Sequence, residues 1–436
     1  MSRLIACVLL LVVSPAAAQT PSPTPSAQQT VADPSLEARA KDVAAFLAGK
    51  GDYDTLFSPA FRAQVPRAQF DAVTAQLTTA SGGVTGIEKL TPVTAFGGTL
   101  AMGFERGVVT MQVAVDPTAP HQITGLRITG TSAREASLDA VVASLAALPG
   151  TTAFTLTRLG GAAPAIIASR EVDRPFAIGS AFKLVILAEL VRGVAAGERH
   201  WDDVVTLDGA PLPGGLYAGK PAGTKATLRE IAERMISVSD NSATDILLAT
   251  LGREKIEAML PVVGFTAGHN RPFLGTLEAF KLKSGALGTR YAALDEKDRR
   301  ALLDGEVKAM PISEIRGDLF ALGKPMAIDT IEWFASPADL ARTMDWLRRH
   351  TEDGPAAEAR AILAKNSGIG PAASAWNYVG FKGGSEPGVI NMTFLLQAKG
   401  GIWYALSGSW NNPAAAVNEG RFAALMRRAI ELTPTN

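Results

Sequence analysis

Three short clusters of residues have the types and spacing that acyl transfer through a serine requires. In residues 175–188 (PFAIGSAFKLVILA) the only charge is Lys183, and the residues after it are apolar all round, which marks a buried helix. Ser180 precedes Lys183 by three positions, so a helix beginning here sets both on one face, one turn apart. A hydroxyl at the positive end of the helix dipole lies where a developing oxyanion is stabilised. An ammonium in an apolar setting has its pKa lowered until it can act as a base. The same residues also read as an N-cap serine followed by a lysine that snorkels to water.

The second cluster is Ser239-Asp240-Asn241. It follows a helix-patterned stretch in which Thr227 and Glu230 form a capping box and Leu228, Ile231, Ala232, Met235 and Ile236 make an apolar stripe. Alone, the triplet reads as an N-cap turn before a new helix near Ser242. The third cluster is YVGFKGGS, residues 378–385, a strand edge that ends in Lys382-Gly383-Gly384. The same triplet recurs as Lys399-Gly400-Gly401, where a plain hairpin turn accounts for it, so the triplet by itself carries little weight.

The elements around these clusters make an α+β pattern. Residues 36–47 and 67–77 have helical apolar spacing, and residues 99–104, 108–115 and 122–128 read as strands separated by turns. A helix over 137–148 ends at Pro149-Gly150 and opens a larger second domain. A hairpin over 153–157 and 165–168 follows, then a helix-rich middle, then strands over 388–397 and 402–410, and a final amphipathic helix over 417–432. Strands at both ends with helices between predict one antiparallel sheet flanked by helices and completed by distant segments.

The order Ser180-x-x-Lys183, Ser239-Asp240-Asn241, Lys382-Gly383-Gly384 resembles that of the serine β-lactamase and penicillin-binding protein superfamily, class A β-lactamases most closely. The resemblance covers about residues 135–432 and extends to SDNSATDILL and to the capped helix SPADLARTM, Ser336 to Met344. It implies Ser180 as nucleophile, Lys183 as its general base, and Ser239 as proton relay to the leaving group. It further implies Lys382 as the source of positive potential, with Asn241, Gly384 and Ser385 binding substrate and the N–H groups of Ser180 and Ser385 forming an oxyanion hole. Gly383 replaces the hydroxyl residue of the family's K-T-G, a loss that Ser385 partly offsets in this reading. A charged helical insertion, about residues 282–318, lengthens the interval before Lys382. The E-P-E-L-N loop that carries the class A deacylating glutamate has no counterpart, and Glu278 is the one acid spaced to replace it; it also reads as an exposed helix glutamate near Lys281. The N-terminal unit, residues 35–132, is similar in its helix-then-sheet order to the steroid-isomerase/nuclear-transport-factor-2 cone. Asp52, Tyr53, Asp54 and Asp71 in it sit in polar local sequence and read as solvated.

The chain has 436 residues, 42 Lys+Arg, 42 Asp+Glu, four His and one Cys. With 47% hydrophobic and 19% charged residues it is no disordered chain. Zero net charge without a basic stripe argues against a nucleic-acid or anionic-membrane partner. One cysteine makes no internal disulfide, and no Cys/His cluster calls for zinc, so neither a metal nor a cofactor is expected. Arg3, the apolar run 4–13 and Ala16-Ala17-Ala18 read as a leader, residues 1–18, cut after Ala18 and too short for a membrane span. Residues 19–34, rich in Pro, Ser, Thr and Gln, read as a disordered tether before a β-lactamase-like domain at 135–436 preceded by the cone. The expectation is a periplasmic or secreted serine hydrolase without a stable membrane anchor, forming an acyl-enzyme with a β-lactam or a related small ester or amide. Two alternatives stay open: a D-alanyl-D-alanine peptidase of peptidoglycan, and a ligand-binding protein with a vestigial catalytic domain.

Overall fold

The computed structural model describes residues 31–161, 163–265, 267–321 and 323–435. The expected leader with Cys7 and Ala18, and most of the expected tether, lie outside the described residues. The chain divides into two compact units, one ending at Thr131 and one beginning at Ser132.

In the first unit four helices, α1 (Pro34–Leu47), α2 (Tyr53–Leu56), α3 (Pro59–Gln64) and α4 (Arg67–Ser81), precede an antiparallel meander. Its strands are β1 (Val84–Thr94), β2 (Gly97–Phe104), β3 (Gly107–Val115) and β4 (Ile123–Ala133), in that spatial order. Three of the helices start where a side chain satisfies an orphan N–H: Asp33 accepts from Ser35, Asp52 from Thr55 and Ser58 from Phe61. The interior is aromatic, with Phe46, Tyr53, Phe57, Phe61 and Phe70 in mutual contact at centroid distances from 4.6 to 6.1 Å. Tyr53 therefore departs from its solvated reading. It is 3% exposed and its hydroxyl donates to Val65 O, while Asp52 caps α2 and Asp54 and Asp71 pair with Arg62 and Arg67. Strand β1 was not expected, because Glu88, Lys89 and Pro92 interrupt its alternation; as an edge strand it tolerates all three.

The second unit is built on a five-stranded antiparallel sheet in the order β11-β12-β13-β5-β6. Strands β5 (Thr151–Leu159) and β6 (Ala165–Arg170) come early in the chain. Strands β11 (Tyr378–Glu386), β12 (Val389–Gln397) and β13 (Trp403–Asn411) come late, so the sheet closes only when the ends of the unit meet. Lys399, Gly400 and Gly401 do form the β12–β13 turn. Helices cover both faces, which is why β12 is buried at every position but its last. Phe394, Leu396 and Leu406 pack with α5 (Leu138–Ala146) and α15 (Glu419–Glu431), whereas Leu395, Ala405 and Leu159 belong to the core beneath the central helices.

Between the two strand groups run β7 (Phe176–Ala177), a 3₁₀ turn (Gly179–Phe182), α6 (Lys183–Ala195), the small ribbon β8 (Val204–Thr206) and β9 (Lys225–Thr227), and α7 (Leu228–Ser237). Helices α8 (Asn241–Leu251), α9 (Arg253–Val262), α10 (Thr276–Lys283), α11 (Ala286–Ala293) and α12 (Glu296–Leu302) follow. Next are β10 (Phe334–Ala335), which pairs with β7, then α13 (Pro337–His350) and α14 (Glu358–Ala364). Among the described residues no helix is long and apolar enough to cross a membrane. The architecture is α+β, an antiparallel sheet flanked by helices.

Candidate active site

The nucleophile candidate sits one turn earlier than a simple helix start. Residues Gly179–Phe182 form the 3₁₀ turn and α6 begins at Lys183, so Ser180 lies on a tight turn, half-buried, at the entrance to the helix. Two strands grip that turn. Ile178 N donates to Trp333 O at 3.0 Å from beside β10, and the Phe182 and Trp333 rings stack at 3.6 Å. From the other side β11 comes so close that a side chain at Gly384 would collide with Ser180 N and Ile178 O. A Cβ on Gly179, whose φ is +48°, would lie 3.0 Å from Ser385 N. Glycine at both positions thus lets the backbone of β11 pack directly on the Ser180 turn, with Ser180 N and Ser385 N both at the contact.

Ser239 occupies the gap between α7 and α8 with a φ of +59°, a left-handed conformation that costs a non-glycine residue about 1 kcal/mol or more. Its neighbours hold it there. Asp240 caps α8 through Ala243 N (2.9 Å) and also accepts from Ser242 Oγ (2.6 Å) and Leu216 N (2.7 Å). The resulting geometry places Ser239 Oγ between two amines, 3.1 Å from Lys183 Nζ and 3.0 Å from Lys382 Nζ. A hydroxyl has two lone pairs and one proton. When both amines donate, the Ser239 proton is directed away from them and is free to be donated.

Lys183 is fully buried and directs Nζ at three oxygens: Ser239 O (2.8 Å), Ser239 Oγ (3.1 Å) and Asn241 Oδ1 (2.8 Å). None is charged. Burial therefore dominates and pulls its pKa down to about 7, with Asp245 and Asp240 opposing the shift from a distance. Among the described residues no hydrogen bond joins Ser180 Oγ to Lys183 Nζ. Lys183 Nζ instead meets the three acceptors of the Ser239–Asn241 loop; its neutral amine form has two protons and a free lone pair. Lys382, 3% exposed, donates to Gly383 O (2.5 Å) and Ser239 Oγ, and burial and the nearby Lys183 hold its pKa well below the ordinary lysine value.

The remaining expected residues fall as follows. Ser385 contributes its backbone to the site; its side chain is exposed, and burial raises the pKa of the nearby Glu419 carboxyl while Ser385 opposes the shift. Gly383 cannot easily be replaced by a hydroxyl residue, since a Cβ there would lie 2.9 Å from the Phe381 ring. Glu278 is engaged elsewhere: it accepts from Gly275 N (2.7 Å) at the start of α10 and forms a two-pronged pair with Arg253 (2.6 and 3.1 Å). Nor is it paired with Lys281, whose Nζ donates to Val307 O and Lys308 O. Asp245 caps α10 by accepting from Thr276 N (2.7 Å) and Leu277 N (2.9 Å), while burial pushes its pKa up to about 6. Among the described residues no group of three or more His, Cys, Asp or Glu side chains is placed to hold a metal ion.

The sequence reading passed over a second buried cluster at the far end of β11. Lys283 Nζ lies 2.5 Å from Glu386 Oε1 and 3.1 Å from Glu332 Oε1. Period-two alternation puts Glu386 on the same face of the strand as Lys382, so the sequence carries a signal for it.

Part of the chain is similar to known proteins. Residues 134–305 match the model of the beta-lactamase enzyme family. No match is found among curated proteins. Similar solved structures include a beta-lactamase from Sphaerobacter thermophilus, 22% identical over 68% of this chain and 97% of its own, with a TM-score of 0.46. A beta-lactamase from Chitinophaga pinensis is 16% identical over 67% and 96%, with a TM-score of 0.46. The putative class A beta-lactamase PenP from Rhodopseudomonas palustris is 19% identical over 67% and 97%, with a TM-score of 0.47. The matched family segment spans the turn that carries Ser180 and the Ser239–Asn241 loop.

Proposed function

We propose that the second unit is a serine hydrolase that forms an acyl-enzyme on Ser180, acting on β-lactams or related small esters and amides. The observation that carries this reading is the convergence of three distant segments, with Ser239 Oγ held between Lys183 and Lys382 beside the strand that packs on Ser180. Neutral Lys183 takes the Ser180 proton as Oγ bonds to the substrate carbonyl carbon. The oxyanion that forms is met by the N–H groups of Ser180 and Ser385. Collapse breaks the bond to the leaving group, which receives a proton from Ser239, and Ser239 is reprotonated by Lys183.

The Glu419 carboxyl beside Ser385 and the glycine at 383 favour, within this class, substrates that carry no carboxylate at that end of the site. Intact-protein mass spectrometry with penicillins, aryl esters and fluorophosphonates tests the reading. The expected result is one adduct per chain that is lost in Ser180→Ala; no adduct with any probe overturns it. Residues 1–18 are read, on their charge and apolar pattern, as an export leader, which N-terminal sequencing of exported protein beginning at Gln19 would support. The first unit is read, on its order of helices followed by a curved sheet, as a steroid-isomerase/nuclear-transport-factor-2 type of cone.

A further inference from the structure

An acyl-enzyme turns over only if water removes the acyl group, and Glu278 is turned to the start of α10, where it accepts from Gly275 N and pairs with Arg253. The Lys283–Glu332–Glu386 cluster approaches the nucleophile turn along both elements that grip it. On β11, Lys382, Gly384 and Glu386 share a face. Lys382 reaches Ser239 and Gly384 touches the Ser180 backbone, so Glu386 continues the same row. Its register partner Val389, on the same face of the sheet, packs with Ala177, three residues before Ser180, and with Ile328. Glu332 immediately precedes Trp333, which accepts from Ile178 and stacks on Phe182.

The side chains of Lys283 and Glu332 are each 2% exposed, whereas that of Glu386 is 11% exposed, so Glu386 is the member open to water. Lys283 also lines a cavity of about 270 Å³ with Ser284, Arg316 and Ile331. Burial and the facing Glu332 carboxylate raise the affinity of Glu386 for a proton, while Lys283 opposes them.

We propose that Glu386, held by Lys283 and backed by Glu332, is the general base that activates the deacylating water. The inference rests on the acyl-enzyme reading above. Glu386 takes a proton from water as the water oxygen bonds to the acyl carbon. When the bond from that carbon to Ser180 Oγ breaks, the same proton returns to Oγ, leaving free serine, carboxylate and the released acid. General-base catalysis is worth about 10²–10⁴ in rate.

Acylation and deacylation are therefore to be timed separately, by stopped-flow and quenched mass spectrometry with an aryl ester, in wild type, Glu386→Gln, Glu386→Asp and Glu332→Gln. The expected result is acylation within about twofold of wild type in Glu386→Gln, deacylation slower by about a hundredfold or more, and partial recovery in Glu386→Asp. Glu332→Gln keeps acylation and loses less of the deacylation rate. Deacylation at the wild-type rate in Glu386→Gln overturns the proposal. So does equal slowing of both steps, the result expected if the cluster merely braces the turn. An absent adduct in wild type overturns the acyl-enzyme reading itself, and this inference with it.

Discussion

Lys183 and Lys283 are both buried on the same unit, yet they are opposite kinds of site. Lys283 faces two carboxylates within 3.1 Å, and together they outweigh its desolvation and raise its pKa. Lys183 faces only neutral oxygens at hydrogen-bonding distance, so desolvation prevails and its pKa falls to about 7. Equal burial thus yields an amine fixed as a cation in one place and one poised to exchange a proton in the other. What separates them is the charge of the acceptors, and substitutions that alter those acceptors test the difference.

The largest effect is expected at Lys183 itself. Lys183→Met removes the proposed base, and the rate of adduct formation on an aryl ester should fall by about 10²–10⁴; a drop of less than tenfold would mean that another group takes the Ser180 proton. Next comes Lys283→Met, which leaves two buried carboxylates without their cation. It should cost about 3–5 kcal/mol in chemical denaturation, and adding Glu332→Gln and Glu386→Gln should recover most of that loss. An undiminished single variant would show that the cluster is more hydrated than its burial implies.

The pH dependence should follow the same contrast. Lys183 is a base only when neutral, and its neutral fraction grows as pH rises through about 7, so adduct formation should rise over that window and level off above it. Asn241→Asp, which places a carboxylate at the Lys183 amine, should move that inflection upward. A rate that is flat from pH 6 to pH 9 would contradict the assignment. The smallest effect is expected from Glu419→Gln, which removes the acid beside Ser385. It should improve turnover of carboxylate-bearing substrates a few-fold relative to uncharged esters, checked by the ratio of kcat/KM values.

Much of this was legible locally. The buried helix after Ser180, the capping box at Thr227 and Glu230, the capped helix at Ser336 and the β12–β13 hairpin depend on neighbours within a few residues, and the chain forms them as its pattern predicts. The partners of the lysines were a different matter. Lys183 meets Ser239 across 56 residues and Lys382 meets it across 143, so no periodicity reports their contact. Glu278 was singled out on spacing alone; what spacing does not show is Arg253, 25 residues earlier, which takes its carboxylate. Tyr53 was misjudged because its flanking aspartates are polar, although its ring completes an aromatic core. Nor does the spacing of Ser180 and Lys183 report that Lys183 turns to three acceptors of a distant loop instead of to Ser180.

That last point makes the site of acylation the sharpest question, because Ser239, not Ser180, is the hydroxyl in contact with both amines. Peptide mapping of the trapped adduct decides between them. Label on the peptide containing Ser180, retained in Ser239→Ala, is the predicted result. Label on Ser239, persisting in Ser180→Ala, would contradict the assignment.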